Sequence, residues 1–187
     1  LVGVSVIYNS GVCWGLAIGK QQQNSRKEAS VKMNKLESLI DSMKDEIVKS
    51  TQELIKIKSV EDEAKPGMPF GEGVGKALVY SLKLGKNLGL KVENVDGYAG
   101  HIEYGEGDEI VAVLVHLDVV PEGKNWTYPP YGGEIHNGKI YGRGAIDNKG
   151  PAVVCIYGLK AIKDAGLKLN RRIRIILGTD EESGWKG

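Results

Sequence analysis

Apolar positions along the chain follow two alternating rhythms. Leu36, Leu39, Ile40, Met43, Ile47, Leu54 and Ile55 recur at three- and four-residue steps, the stripe of an amphipathic helix, and predict a helix from Asn34 to about Lys58 with its charged face in water. Pro66, Gly67, Pro69 and Gly71 make 59–72 a loop, after which Val74, Ala77, Leu78, Leu82 and Leu88 mark a second helix ended by Gly89. Short strands are expected at Lys91–Val95 and His101–Tyr104. The run Ile110–Val115, rich in β-branched residues, reads as a strand buried on both faces. Asn137-Gly138 sits between the alternating residues of Glu134–Tyr141, the signature of a type I′ hairpin. Pro151 and Gly166 bracket a third helix, and Arg172–Leu177 is another buried strand. Helices alternating with buried strands predict an α/β domain with a largely parallel sheet, whose ligands gather at the strands' C-terminal ends.

Composition narrows the function classes. The 187 residues suit one sizeable core. Glycine, 26 residues, is about twice its usual ~7% share, yet 41% hydrophobic and 26% charged content excludes disorder and collagen. Twenty-five basic against 24 acidic residues leave a net charge of +1, so no global field draws nucleic acid or an anionic membrane, and neither is expected as a partner. Cys13 and Cys155 are too few and too far apart for a disulfide framework or a thiolate zinc cluster; both read as small apolar residues in a reducing, cytoplasmic compartment.

The ends of the chain carry their own expectations. Leu1 to Gly19 is apolar but broken by Asn9, Ser10 and several glycines, with no Lys or Arg before Lys20, which suits neither a signal peptide nor an anchored span. Gln21–Lys32 is polar and patternless, and Lys27-Glu28-Ala29 can be back-translated to a bacterial ribosome-binding sequence ahead of Met33. Residues 1–32 are therefore expected to be a leader translated from upstream of the native start, with the native protein beginning at Met33. Gly187 falls a few residues after the densest acidic motif, so the chain reads as a gene fragment.

Three motifs sit where strands and turns end. His116-Leu117-Asp118 follows Ile110–Val115, and residues two apart on a strand point to one side, so imidazole and carboxylate can converge; a carboxylate beside a ligating histidine fixes its tautomer. Gly142-Arg143-Gly144-Ala145-Ile146-Asp147-Asn148-Lys149-Gly150 places Asp147 close to a helix N-terminus. Gly178-Thr179-Asp180-Glu181-Glu182-Ser183-Gly184 puts three adjacent acids at a buried strand's end, where mutual repulsion and lost solvation call for a cation. Each has a plainer reading alone: a strand-end polar pair, a helix cap, a solvated acidic loop. Jointly they describe a site for two cations, and imidazole with carboxylates and no thiolates suits Zn²⁺, with Mn²⁺ or Co²⁺ as substitutes.

His116-Leu117-Asp118-Val119-Val120-Pro121, Gly142-Arg143-Gly144 with Asp147-Asn148-Lys149-Gly150-Pro151, and Gly178-Thr179-Asp180-Glu181-Glu182-Ser183-Gly184-Trp185 resemble the zinc exopeptidase family of aminoacylases, succinyl-diaminopimelate desuccinylases, acetylornithine deacetylases and carnosinases. Within it the motifs are most similar to those of PepV-type bacterial dipeptidases. The resemblance covers Met33 to Gly187, the N-terminal part of a catalytic domain truncated before the family's lid domain. It implies that His116 ligates one zinc, Asp118 orients His116, Asp147 bridges two zincs, Glu181 is the general base and Glu182 ligates the second zinc. It also implies a cis peptide after Asp147, and Asn148 stands where close relatives often have Asp. The family adds an Asp some two dozen residues beyond the Glu-Glu pair and a His near the C-terminus, neither of which lies before Gly187. The expected activity is zinc-dependent hydrolysis of a small peptide, a dipeptide, by the complete protein and not by this fragment; the alternatives are an N-acyl amino acid deacylase or desuccinylase, and a non-catalytic metal-binding fragment. His101 and His136 read as surface histidines, Trp126, Tyr128 and Tyr131 as a packed loop or a site wall, and Arg171, Arg172 and Arg174 as a solvated strand edge.

Overall fold

A computed structural model describes residue 27 and residues 29–186. Cys13 and most of the expected leader lie outside the described residues, while residues 29–32 already belong to a helix spanning 29–42. The single helix expected from Asn34 is interrupted at Met43, which is buried, and restarts as α1, Lys44–Lys56. Leu36, Leu39 and Ile40 before the break and Leu54 after it still pack against one core, so the apolar stripe survives the break. Helix α2 spans Glu72–Asn87 and α3 spans Lys149–Asp164. No side chain caps α3, whose N-cap is Asn148, so neither Asp147 nor Asn148 takes the capping role open to it on sequence grounds.

Strands β1 (Lys91–Val95), β2 (Ala99–Tyr104), β3 (Ile110–His116) and β6 (Arg172–Gly178) form one sheet in the order β1-β2-β6-β3, and β4 (Glu134–His136) pairs with β5 (Lys139–Tyr141) as a separate hairpin. Asn137 and Gly138 both take positive φ, 51° and 73°, as the type I′ turn requires. The main sheet is mixed: β3 runs parallel to β6, whereas β1–β2 and β2–β6 are antiparallel. The described strands are thus less parallel than the alternation of helices and strands suggested. Ile102 of β2, Val115 of β3 and Ile175 and Leu177 of β6 join Leu54, Leu78, Leu82, Val153 and Ile156 of the helices in the core.

The expectation for β3 is corrected. The strand is an edge of the described sheet, and Ile110, Val111, Val113 and Leu114 are exposed, Leu114 at 56%. Composition set the strand but not its place, because the same β-branched run suits a central strand and an edge whose outer side is bare. Arg172 and Arg174 are also placed differently from the solvated edge expected of them. They lie on β6, in the interior of the sheet order, and both pair with Glu103 of β2, which is 6% exposed; Arg171 pairs with exposed Glu109. Among the described residues no helix is long and apolar enough to cross a membrane.

Candidate metal centre

Parallel pairing sets His116 opposite Gly178, so the segments leaving β3 and β6 arrive together at one end of the sheet. Val115 shares a face with Ile175 and Leu177, and all three enter the core. Strand alternation puts Leu114, His116 and Ile176 on the other side. There a cavity of about 290 Å³ is lined by His116, Asp147, Asn148, Glu181, Leu114 and Trp185, among others.

The three acids of the last motif separate into two kinds. The Asp180 carbonyl accepts the amides of Gly184 (3.1 Å) and Trp185 (3.0 Å), and its Oδ2 accepts the Lys186 amide. Asp180 is 4% exposed and closes its own turn. That turn leaves Glu181 at the cavity wall with Glu182 next to it in sequence, and one ligand atom each from His116, Glu181 and Glu182 lie within 4.8 Å of one another.

His116 is held from both ring nitrogens. Nδ1–H donates to the Asp118 carbonyl at 3.1 Å, with Asp118 Oδ1 3.4 Å away, and Nε2–H donates to Asp147 Oδ1 at 3.0 Å, with Glu181 Oε2 at 3.9 Å. All five residues singled out from the sequence are thereby brought into one cluster, Asp147 joining it through His116. Asp118, 1% exposed, also accepts the Glu182 amide on Oδ2 at 2.8 Å, so one carboxylate links the first motif to the third. The peptide between Asp147 and Asn148 is cis.

The electrostatics are those of a site shaped for a cation. Burial opposes the charged imidazole of His116, but Asp118 and Asp147 outweigh it and carry the pKa up to about 9. Burial likewise works to raise the Asp118 carboxyl, and His116 with the backbone amides of Glu182 and Glu181 brings it below its ordinary value. Glu182 is shifted upward by burial and by Asp147, with Glu181 and Asp118 adding to the effect and His116 opposing it. Buried Oδ1 atoms of Asp118 and Asn148 have no hydrogen-bond partner. Crowded hard oxygen donors, one imidazole and orphaned buried oxygens fit a divalent metal.

The other candidates fall away from this cluster. His101 pairs with Glu93 at 3.0 Å. His136 pairs with Glu134 at 2.8 Å and stacks on Tyr128 with centroids 3.7 Å apart. Trp126 Nε1–H donates to the Glu122 carbonyl and the Tyr131 hydroxyl to the Glu122 carboxylate, the bonds of a packed loop. Sequence reasoning missed Lys149, the largest fully buried side chain. Burial lowers its pKa to about 8, with Asp118 opposing, and Nζ donates to the Ile57 carbonyl at 2.5 Å. The available signal was steric: Gly144, at φ +86°, leaves room that a Cβ would close to 2.9 Å from Lys149 Cδ.

Fold and site together define an α/β protein with a histidine–carboxylate cluster at its strand ends whose donors could hold a metal ion. Residues 112–187 match the family described as Peptidase family M20/M25/M40. The chain is 54% identical over 145 residues to the Bacillus subtilis (strain 168) protein named "Putative dipeptidase YtjP", covering 76% of this chain and 31% of the relative. It is 41% identical over 152 residues to the "Beta-Ala-Xaa dipeptidase" of Lactobacillus delbrueckii subsp. lactis, covering 80% and 32%. Among solved structures, human carnosine dipeptidase 1 matches with a TM-score of 0.70 at 28% identity, over 81% of this chain and 35% of that one. The chain spans about a third of the length of the curated relatives it matches.

Proposed function

We propose that this chain is the metal-holding segment of a metal-dependent dipeptidase. The observation that carries the reading is the convergence of His116, Asp118, Asp147, Glu181 and Glu182 from three separate motifs into one cluster, of which His116, Asp147 and Glu181 line a single cavity; the dipeptidase names of the relatives support the substrate class. His116 and Asp147 would hold one zinc, Asp147 and Glu182 the other, with Mn²⁺ or Co²⁺ as substitutes. When bound, such a pair supplies Lewis acidity toward the peptide carbonyl and lowers the pKa of water.

The remaining work falls to the chain's own groups. Glu181, whose carboxylate lies at the cavity wall, accepts the proton of the attacking water and returns it to the departing amine. Asp118 holds His116 through Nδ1, so that Nε2 is the nitrogen directed at Asp147 and the cavity. Leu114, Ile176 and Trp185 give that cavity an apolar lining against which a substrate side chain can exclude water. The scarcity of cysteines and their lack of pairing signals support a reducing, cytoplasmic setting.

The deciding experiment uses a protein in which this segment is joined to the remainder of its relatives' length. Dipeptides and N-acyl amino acids are offered side by side, and release of free amino acids is followed. The reading expects dipeptides to be cleaved with the higher kcat/KM. A preference for N-acyl amino acids assigns a deacylase instead, and no turnover of either by a zinc-loaded protein rejects the enzyme reading.

A further inference from the structure

Lys149 is a buried cation to which the proposed chemistry assigns no part. An ammonium taken out of water needs compensation, and the structure supplies it in two places. Nζ donates to the carbonyl of Ile57, the C-cap residue of α1, where unsatisfied carbonyls and the negative end of the helix dipole favour a cation. Asp118 is the charged group acting on it. The stem reaches this place by passing over Gly144, whose missing Cβ makes the room. Both the Lys149 and Gly150 amides also bond the Gly144 carbonyl, at 3.0 and 3.3 Å.

The segment that Lys149 grips leads directly to the metal centre. Two residues beyond Ile57, the fully buried Ser59 donates its hydroxyl to the Leu117 carbonyl at 2.6 Å, and its own carbonyl accepts the Val119 amide at 3.0 Å. Leu117 and Val119 are the chain neighbours of Asp118. A closed circuit therefore runs from the Asp147 turn through Lys149 to Ile57, through Ser59 to both sides of Asp118, and from Asp118 and His116 back to Asp147.

We propose that Lys149 is a positioning residue of the metal centre: by tying the turn that carries Asp147 to the Ile57–Ser59 segment that brackets Asp118, it fixes the distance between the two halves of the metal-binding group. This rests on the metal-centre reading above and goes beyond it, because Lys149 acts through the backbone on either side rather than as a ligand.

The test is the zinc dissociation constant of this chain, measured by competition with a chromophoric chelator, alongside its melting temperature without metal. Lys149→Met keeps the stem and removes the ammonium. Removing one partner leaves the Ile57 carbonyl and Asp118 without their cation, so the melting temperature falls, and zinc affinity falls at least ~10-fold with it, the range for losing an outer partner of a metal site. A Lys149→Met chain that is folded by circular dichroism and binds zinc within twofold of the parent overturns the proposal, as does a fall in melting temperature with unchanged zinc affinity. If Lys149→Met does not fold, Ser59→Ala decides: it cuts the circuit at the Leu117 carbonyl while leaving the charge in place, and zinc affinity at least fivefold weaker supports the proposal while unchanged affinity overturns it. A parent chain that binds no zinc rejects the metal-centre reading itself, which is a different result from a parent that binds and a variant that binds equally.

Discussion

Replacing Asp118 by Asn probes the contact that joins two of the three motifs. The residue is 1% exposed, its Oδ2 accepts the Glu182 amide at 2.8 Å, and its Oδ1 faces the His116 ring from 3.4 Å. An amide has one oxygen and one NH2, so whichever way the substituted side chain turns, a donor meets either the Glu182 N–H or the His116 Nδ1–H. Hydrogen bonds to a charged acceptor contribute about 1.5–3 kcal/mol, so making the acceptor of the Glu182 amide neutral and removing the charge beside His116 should together cost about 2 kcal/mol. In a domain of this size that lowers the melting temperature by roughly 4–8 °C. The Nδ1 hydrogen bond to the Asp118 backbone carbonyl survives, but the carboxylate charge facing the His116 ring from 3.4 Å is lost, so zinc affinity should fall roughly 10-fold, the low end of outer-partner losses at metal sites. Calorimetric melting at about pH 7, where the lowered pKa of Asp118 keeps it ionised, and chelator competition for zinc read the two effects. An Asp118→Asn chain that melts within about 1 °C of the parent and binds zinc equally would refute the reasoning.

Glu181→Gln, in a protein of the relatives' full length, should lower kcat by at least ~100-fold while zinc stays bound, because Gln removes the base and not a ligand; near-normal kcat puts the base elsewhere. Residues 33–187 alone should hydrolyse no dipeptide, since the assigned set gives each zinc two protein ligands where a catalytic site ordinarily has three, and release of amino acids from a zinc-loaded sample checks this. Burial works to raise the Glu103 carboxyl, but Arg174 and Arg172 outweigh it and hold it below 4.5. Its stabilising share is therefore present above that pH and lost as pH falls through the lowered value, and Glu103→Gln should flatten this acid limb in melts taken from about pH 6 downward. The bare edge of β3 should drive concentration-dependent association, and Val113→Lys should shift the population toward monomer in size-exclusion chromatography.

How much could be read from the sequence depended on whether the signal was local. The helices, the Asn137-Gly138 turn and the strand ends were legible because periodicity and turn chemistry act within a few residues. The convergence of the five candidate residues was legible because each lies just past an element whose end the pattern marks. The position of β3 at an edge was hidden, since strand order is set by pairing with β6, some sixty residues away. Arg172 and Arg174 were misplaced for the same reason, their partner Glu103 lying on β2. Lys149 was missed because lysine is seldom fully buried, and what lets it in, the C-terminal carbonyl of α1 and the bare Cα of Gly144, is distant in sequence or visible as a contact rather than a residue type. Asp180 looked like a third acid of the cluster, and only its backbone bonds to Gly184 and Trp185 show that it closes the turn.

The central claim is that His116, Asp147 and Glu182, drawn from three motifs, form one metal-binding group. Anomalous diffraction at the zinc edge, from crystals of this chain soaked in zinc, tests it most directly. The account predicts a peak at about 2.0–2.2 Å from His116 Nε2 and from a carboxylate oxygen of Asp147, and a second shared by Asp147 and Glu182. Zinc bound instead at His101 or His136, with no peak at His116, would contradict it.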